Sequence, residues 1–342
     1  MPKSSKKSCS SQAGFSLVEI LVGLAIGLLA TMVIMQVFSV FEGQKRSTTG
    51  SADAQTNGSI ALYTVTRDAQ MAGYSLMPVA DSPLECTTLT FGATGITDIF
   101  PVTIADGGGG ASDTVTIRYG DSPSGGIPAT ITAMGVPTAN DATLTTNFSC
   151  RAGDVAFIAN GTTCAMTSVN AVAGATTVTL ADITATGIGA NLACLGSTWN
   201  EIAYAVNNGN LERNGVTSMA GIVSLQAQYG ISAAANNNQV TNWVDATGAT
   251  WAAPTIADRN RIKAVRIAVV ARNSQLEKDV VTEACSSTSG AAPTGLCSWA
   301  GSAASPAPEI DLTADADWAR YRYRAYETII PLRNMIWAKD TL

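Results

Sequence analysis

One stretch dominates the pattern of apolar and polar positions. From Leu17 to Phe41 only Glu19, Thr31, Gln36 and Ser39 carry polar side chains. A helix of that length is about 37 Å long at ~1.5 Å per residue, against a bilayer core of about 30 Å, so it is long enough to span a membrane. Beyond it the chain turns polar, but Leu62, Val65, Ala69 and Ala72 recur at helical spacing on one face. The pattern predicts one helix running on to about Gly73. Gly43, Gly50 and Gly58 each weaken a helix by roughly 1 kcal/mol relative to Ala, which predicts a bend or a melted stretch between residues 43 and 58.

After residue 76 the period changes to that of strands punctuated by Gly, Asn, Ser and Pro. Strands are expected at 87–91, 114–119, 154–158, 176–180, 201–206, 222–229, 262–271 and 323–330. The clearest local signal is the turn Asn207-Asn208-Gly209-Asn210 between Glu201–Val206 and Leu211-Glu212-Arg213, which has hairpin chemistry. Val265-Arg266-Ile267-Ala268-Val269 alternates cleanly. Gly107 to Gly110, Asn236 to Asn238 and Ser286 to Pro293 read as loops. The expected fold class is α+β, a long N-terminal helix packed on a large β-rich C-terminal head.

Composition narrows the chemistry. The chain has 342 residues, 13% of them charged, a net charge of −6 and no histidine. Without histidine there is no Ser-His-Asp triad and no imidazole metal ligand. Lys3, Lys6 and Lys7 precede the apolar run and no acid does, so the head is acidic and carries no electrostatic footprint for nucleic acid. The same lysines hold the N-terminus in the cytoplasm by the positive-inside rule. Asp311, Asp315 and Asp317 lack the spacing of a calcium loop and read as a solvated acidic turn. No catalytic, cofactor-binding or metal-ligating set is expected. The six tryptophans read as core packing, with surface anchoring as the other use.

The N-terminus admits a cleaved secretory signal, a plain transmembrane anchor or something more specific. The apolar run is too long for an ordinary signal, and a plain anchor leaves unexplained a carboxylate two residues into the span, unless Glu19 is an interfacial residue. Gly14-Phe15-Ser16-Leu17-Val18-Glu19, after a short basic leader, resembles the type IV prepilin signature. That resemblance implies cleavage between Gly14 and Phe15 by prepilin peptidase, N-methylation of Phe15, and pairing of Glu19 with the Phe15 amine of a neighbouring subunit inside a filament. It divides the chain into a leader at 1–14, a transmembrane and filament-core helix at 15–41, an amphipathic continuation at 42–75 and a head at 76–342, in the lollipop form of type IV pilins.

Head segments sharpen the likeness to the PilW-like minor prepilins. Arg67 to Tyr74 resembles that family at the end of its helix, as do Ile202 to Arg213, Leu225 to Gly230, Ile262 to Asn273, Tyr321 to Arg324 and Leu332 to Asn334. Residues 78–200 resemble nothing in it. Arg67, Arg266 and Arg333 are read as salt-bridged scaffold in preference to partner contacts. The resemblance implies a filament component, not an enzyme, held in the inner membrane with a periplasmic head and then placed in the pilus, at its tip by the size of the head. Implied partners are prepilin peptidase, other minor pilins, the major pilin, the inner-membrane assembly platform and a tip adhesin. Two rivals are a J-type minor pseudopilin of type II secretion and a membrane-anchored adhesin or binding module.

Of seven cysteines Cys9 lies in the leader, which leaves Cys86, Cys150, Cys164, Cys194, Cys285 and Cys297 for up to three disulfides in an oxidising compartment. Only Cys285 with Cys297, around a Ser/Gly/Pro loop, is expected as a specific pair. There is no C-x-x-C to hold zinc.

Overall fold

The computed structural model describes residues 14–76, 86–92, 94–135, 138–183 and 187–336. Lys3, Lys6, Lys7, Cys9 and Trp337 lie outside the described residues. The chain divides into two compact units, Met1–Gly50 and Ser51–Leu342.

Helix α1 runs unbroken over Leu17–Gln70. Inside the apolar run the hydroxyls of Thr31 and Ser39 donate to the carbonyls of Leu28 and Gln36 (2.9 and 2.8 Å), so these polar side chains are satisfied by the helix itself and need no water. Glu19 lies in the first turn, where a carboxylate complements the helix dipole. The expected melted stretch between 43 and 58 is absent: the helix continues through all three glycines. At Gly58 the reason is packing: a Cβ there would fall on the ring of Tyr326 and lie 3.1 Å from the Cβ of Ala271. The helix ends where Gly73 takes φ +74°, a conformation that suits glycine. The Gly73 N–H then turns to the carbonyl of Arg118 (2.9 Å).

In the second unit the end of α1 buries Ala54, Ala61, Val65 and Ala69, and the turn that follows it buries Ala72. The stripe read from the sequence is thus real, with small residues that let the helix lie close to a sheet. It packs on two sheets that share one core. The first has the order β12-β11-β10-β3-β2, built from β2 (Val102–Ala105), β3 (Thr114–Gly120), β10 (Trp199–Asn207), β11 (Asn210–Arg213) and β12 (Val216–Ala220). The second has the order β14-β13-β15-β16, from β13 (Ile222–Ser232), β14 (Val240–Val244), β15 (Ile262–Arg272) and β16 (Tyr323–Pro331). Val265, Ile267, Val269 and Ala271 of β15 enter the shared core. The other face of the strand is also buried, under chain from the long connection between β15 and β16.

A third sheet takes up most of the region that resembled nothing after β3. Strands β4 (Ala129–Met134), β5 (Asp141–Leu144), β6 (Val155–Asn160), β7 (Thr163–Ala173), β8 (Thr177–Leu180) and β9 (Asn191–Gly196) follow the order β7-β6-β9-β4-β5-β8, and β8 pairs back onto β7. The six strands close on themselves, with β1 (Thr88–Thr90) lying parallel against β7. This barrel has its own core, including Ile131, Leu144, Ile158, Val169, Leu180 and Leu192. It is inserted between β3 and β10, neighbours in the first sheet. Its two ends meet at a neck where Asp121 and Ser122 both donate backbone N–H groups to the Leu195 carbonyl, 2.9 Å each.

Candidate assembly helix and head sites

Gly14, Phe15 and Ser16 form no regular element and stand exposed just ahead of α1. The Ser16 carbonyl accepts the N–H groups of Glu19 and Ile20 at 3.0 and 3.2 Å, which starts the helix. Glu19 is exposed in that first turn. The large apolar side chains around it are bare: Phe15 is 80% exposed, and none of those from Leu17 to Phe41 is less than 48% exposed. A continuous apolar cylinder that the described residues leave uncovered is a surface for lipid or for other helices.

At the other end of α1, Asp68 is the polar tie to the first sheet. Its Oδ2 accepts the hydroxyl of Tyr204 at 2.6 Å and the Nε of Arg213 at 2.9 Å. Tyr204 is fully buried, and burial, followed by the hydrogen bond to Asp68, raises its hydroxyl above the usual tyrosine range. This joins two segments singled out in the sequence, Arg67–Tyr74 and the 202–213 hairpin. Nearby, Asn334 donates Nδ2 to the Ala72 carbonyl at 3.0 Å, which ties in the 332–334 segment too.

The arginines depart from expectation. Arg266 is buried at 4% exposure, but its partners are not carboxylates. Nε donates to Gln228 Oε1 at 2.5 Å and Nη2 to the Pro306 carbonyl at 2.9 Å, while the guanidinium lies 5.1 Å from the Trp243 ring and 4.6 Å from that of Trp299. Burial lowers its pKa to about 10. Two indole faces and amide oxygens replace the expected salt bridge, and they fasten the connection between β15 and β16 to the sheet. Arg67 and Arg333 stand exposed, with no carboxylate in ion-pair range among the described residues.

The cysteines pair as Cys86–Cys164, Cys150–Cys194 and Cys285–Cys297, with Cα separations of 5.6, 5.2 and 4.8 Å. The first ties the chain ahead of β1 to β7, the second closes the barrel across its core, and the third staples the connection between β15 and β16. Of the acidic turn, Asp315 pairs with Arg272 (2.8 Å) and Asp317 with Arg320 (3.0 Å). Asp311 takes the Thr313 N–H at 2.8 Å, which holds its carboxyl below the usual range. Among the described residues no three Cys, Asp or Glu side chains converge to hold a metal ion.

One buried acid carried no signal in the sequence. Asp113, 2% exposed, accepts the N–H of Gly107 at 3.0 Å and of Ala227 at 2.7 Å, so it tethers the glycine run to β13. Burial outweighs these bonds and pushes its carboxyl up to about 7.

Comparison with known proteins adds two findings. The family model described as type IV pilus-assembly protein W matches residues 197–334, from β10 to the short helix after β16. The model of the prokaryotic N-terminal methylation motif matches residues 9–35. No curated protein and no solved structure matches the chain.

Proposed function

We propose that this chain, a PilW-like type IV minor prepilin by its two family matches, enters a type IV pilus after cleavage between Gly14 and Phe15 and acts in the complex that initiates the filament or caps it. The matches support a membrane-anchored pilin-like structural protein and belong to no enzyme family. One observation carries the reading: the methylation-motif match lies across Gly14 to Glu19 and opens a helix whose apolar side chains are uncovered from Phe15 to Phe41. In the membrane, lipid covers that surface; in a filament, neighbouring helices do, and burial of apolar area drives association. Gly14 offers a protease cleft an exposed backbone with no side chain. The freed and methylated Phe15 amine then pairs with Glu19 of an adjacent subunit, each charge offsetting the desolvation of the other and setting the axial register.

The lysines of the leader keep the N-terminus cytoplasmic, where prepilin peptidase acts, and the disulfides suit a periplasmic head. Other minor pilins, the major pilin and the inner-membrane assembly platform are the expected partners, with a tip adhesin above. The head's size favours the tip, where no subunit stacks on it. The pilus-assembly match favours a pilus over a type II secretion pseudopilin. Mass spectrometry of the N-terminal peptide, from envelopes with and without prepilin peptidase, tests the reading. An N-methylated Phe15 start that vanishes without the peptidase is expected. An unprocessed N-terminus in both strains refutes it.

A further inference from the structure

Strand β16 is an outer strand of its sheet, and it pairs with β15 along its whole length without a register shift. The Asn273 N–H donates to the Arg322 carbonyl and the Leu332 N–H to that of Lys263, 2.9 Å each. Hydrogen-bonded and open pairs alternate in an antiparallel ladder, so the even-numbered residues of β16 bond to β15. Tyr323, Ala325, Glu327 and Ile329 therefore turn their backbone N–H and C=O groups outward, where no described residue meets them. The other outer strands of these two sheets are blunted, as exposed edges usually are. Trp243 of β14 donates its N–H to Ser305 Oγ at 2.7 Å, β2 is only four residues long, and β12 has five residues and a register shift against β11. On β16 the only such device is Pro331, at its far end.

A row of unpaired backbone donors and acceptors is met in kind by an extended chain, and the charge beside it selects which one. A cavity of about 270 Å³ adjoins the edge at its Tyr323 end. Ser51, Gln55, Asn273, Thr282, Arg322 and Arg324 supply its polar lining, which holds two guanidinium groups and no carboxylate. Arg322 is paired with Glu277 at 2.9 Å. Arg324 is exposed and has no carboxylate in ion-pair range among the described residues. Side chains alternate along a strand, so one added at this edge lays every second side chain on the face that carries Arg324, Tyr326 and Thr328. A second copy of β16 does not suit that face: it brings Arg322 and Arg324 there, while its one acid, Glu327, lies on the other. We propose that the free edge of β16 takes an extended segment of a different protein as an additional strand, with a carboxylate of that segment set against Arg324 in the cavity. Main-chain bonds to residues 323–329 supply the affinity, and the acid fixes the register. The proposal rests on the second unit alone and does not depend on cleavage at Gly14.

The probe is a blocked heptapeptide, acetyl-Val-Thr-Val-Asp-Val-Thr-Val-amide, added to the full-length chain in detergent. Hydrogen exchange read by mass spectrometry follows residues 323–329, and calorimetry gives the affinity. At saturation the peptide is expected to slow exchange of that segment by at least ~10-fold. Replacing its Asp by Lys should weaken binding by ~10-fold. Arg324→Glu, which keeps the wild-type melting temperature because the side chain is exposed, should reverse that order and prefer the Lys peptide. N-methylation of the peptide's Val residues, whose N–H groups meet β16 when Asp lies opposite Arg324, should abolish binding, as should Ala325→Pro, which removes an outward donor that β15 does not use. The proposal is overturned if millimolar peptide leaves exchange of 323–329 unchanged, if the N-methylated peptide or the Ala325→Pro chain binds as well as its parent, or if the wild-type chain binds the Asp and Lys peptides equally.

Discussion

Gly58→Ala separates two kinds of reasoning because they predict opposite signs. On helix propensity alone, replacing a mid-helix glycine by alanine stabilises by roughly 1 kcal/mol. Gly58 is buried, however, and an added Cβ falls on the Tyr326 ring with Ala271 Cβ 3.1 Å away. Overpacking of that kind costs about 1–3 kcal/mol, so the net change is a loss of up to ~2 kcal/mol. Gly43 is the internal control, since nothing lies within 4 Å of its added Cβ; Gly43→Ala is expected to be neutral or stabilising by up to ~1 kcal/mol. The assay is urea unfolding of the oxidised full-length chain in detergent, followed by tryptophan fluorescence, because Trp199, Trp243, Trp251, Trp299 and Trp318 all lie in the second unit. Tyr326→Ala in the Gly58→Ala background supplies a double-mutant cycle, which should return a coupling energy of the same size as the clash. If Gly58→Ala stabilises the head, or if the cycle shows no coupling with Tyr326, the packing account of the glycine is refuted.

Three further predictions rest on separate features. Asp68→Ala strands the buried Tyr204 hydroxyl and should cost ~1–3 kcal/mol, more than Arg213→Ala at ~0–1 kcal/mol, since Arg213 is partly exposed; urea unfolding ranks them. The Asp113 carboxyl ionises near 3.8 when unfolded and near 7 when folded. The folded state therefore holds the proton between those values, and the Asp113 contribution to stability, fully present below pH ~4, is lost as pH rises to ~7. Asp113→Asn should flatten the stability profile between pH 4.5 and 7, and an unchanged slope would contradict the assignment. Removing the Cys285–Cys297 bridge as a double serine variant should cost up to ~3 kcal/mol for a loop of this size, with faster hydrogen exchange confined to the connection between β15 and β16.

The sequence by itself determined the parts whose signal is local. The apolar run of 17–41, the stripe at Leu62, Val65, Ala69 and Ala72, the prepilin-like start and the Asn208–Gly209 hairpin follow from spacing and turn chemistry over a few residues. The eight expected strands all exist within a residue or three of their limits, because Val, Ile and Tyr concentrate there. Strands β2, β4, β5, β7, β9, β12 and β14 were not legible: several are short, and those of the barrel are rich in Ala, Thr and Asn, whose strand signal is weak until neighbouring strands close around them. The same distance in sequence hid the tie of Asp68 to Tyr204 and Arg213, the burial of Asp113, and the pairing of Cys86 with Cys164 and Cys150 with Cys194. Arg266 shows the division most clearly. Its place on the alternating strand was set by a period of two, while its cover, the Trp299 ring and the Pro306 carbonyl, was decided only when the connection between β15 and β16 folded back over the sheet and withdrew the guanidinium from water.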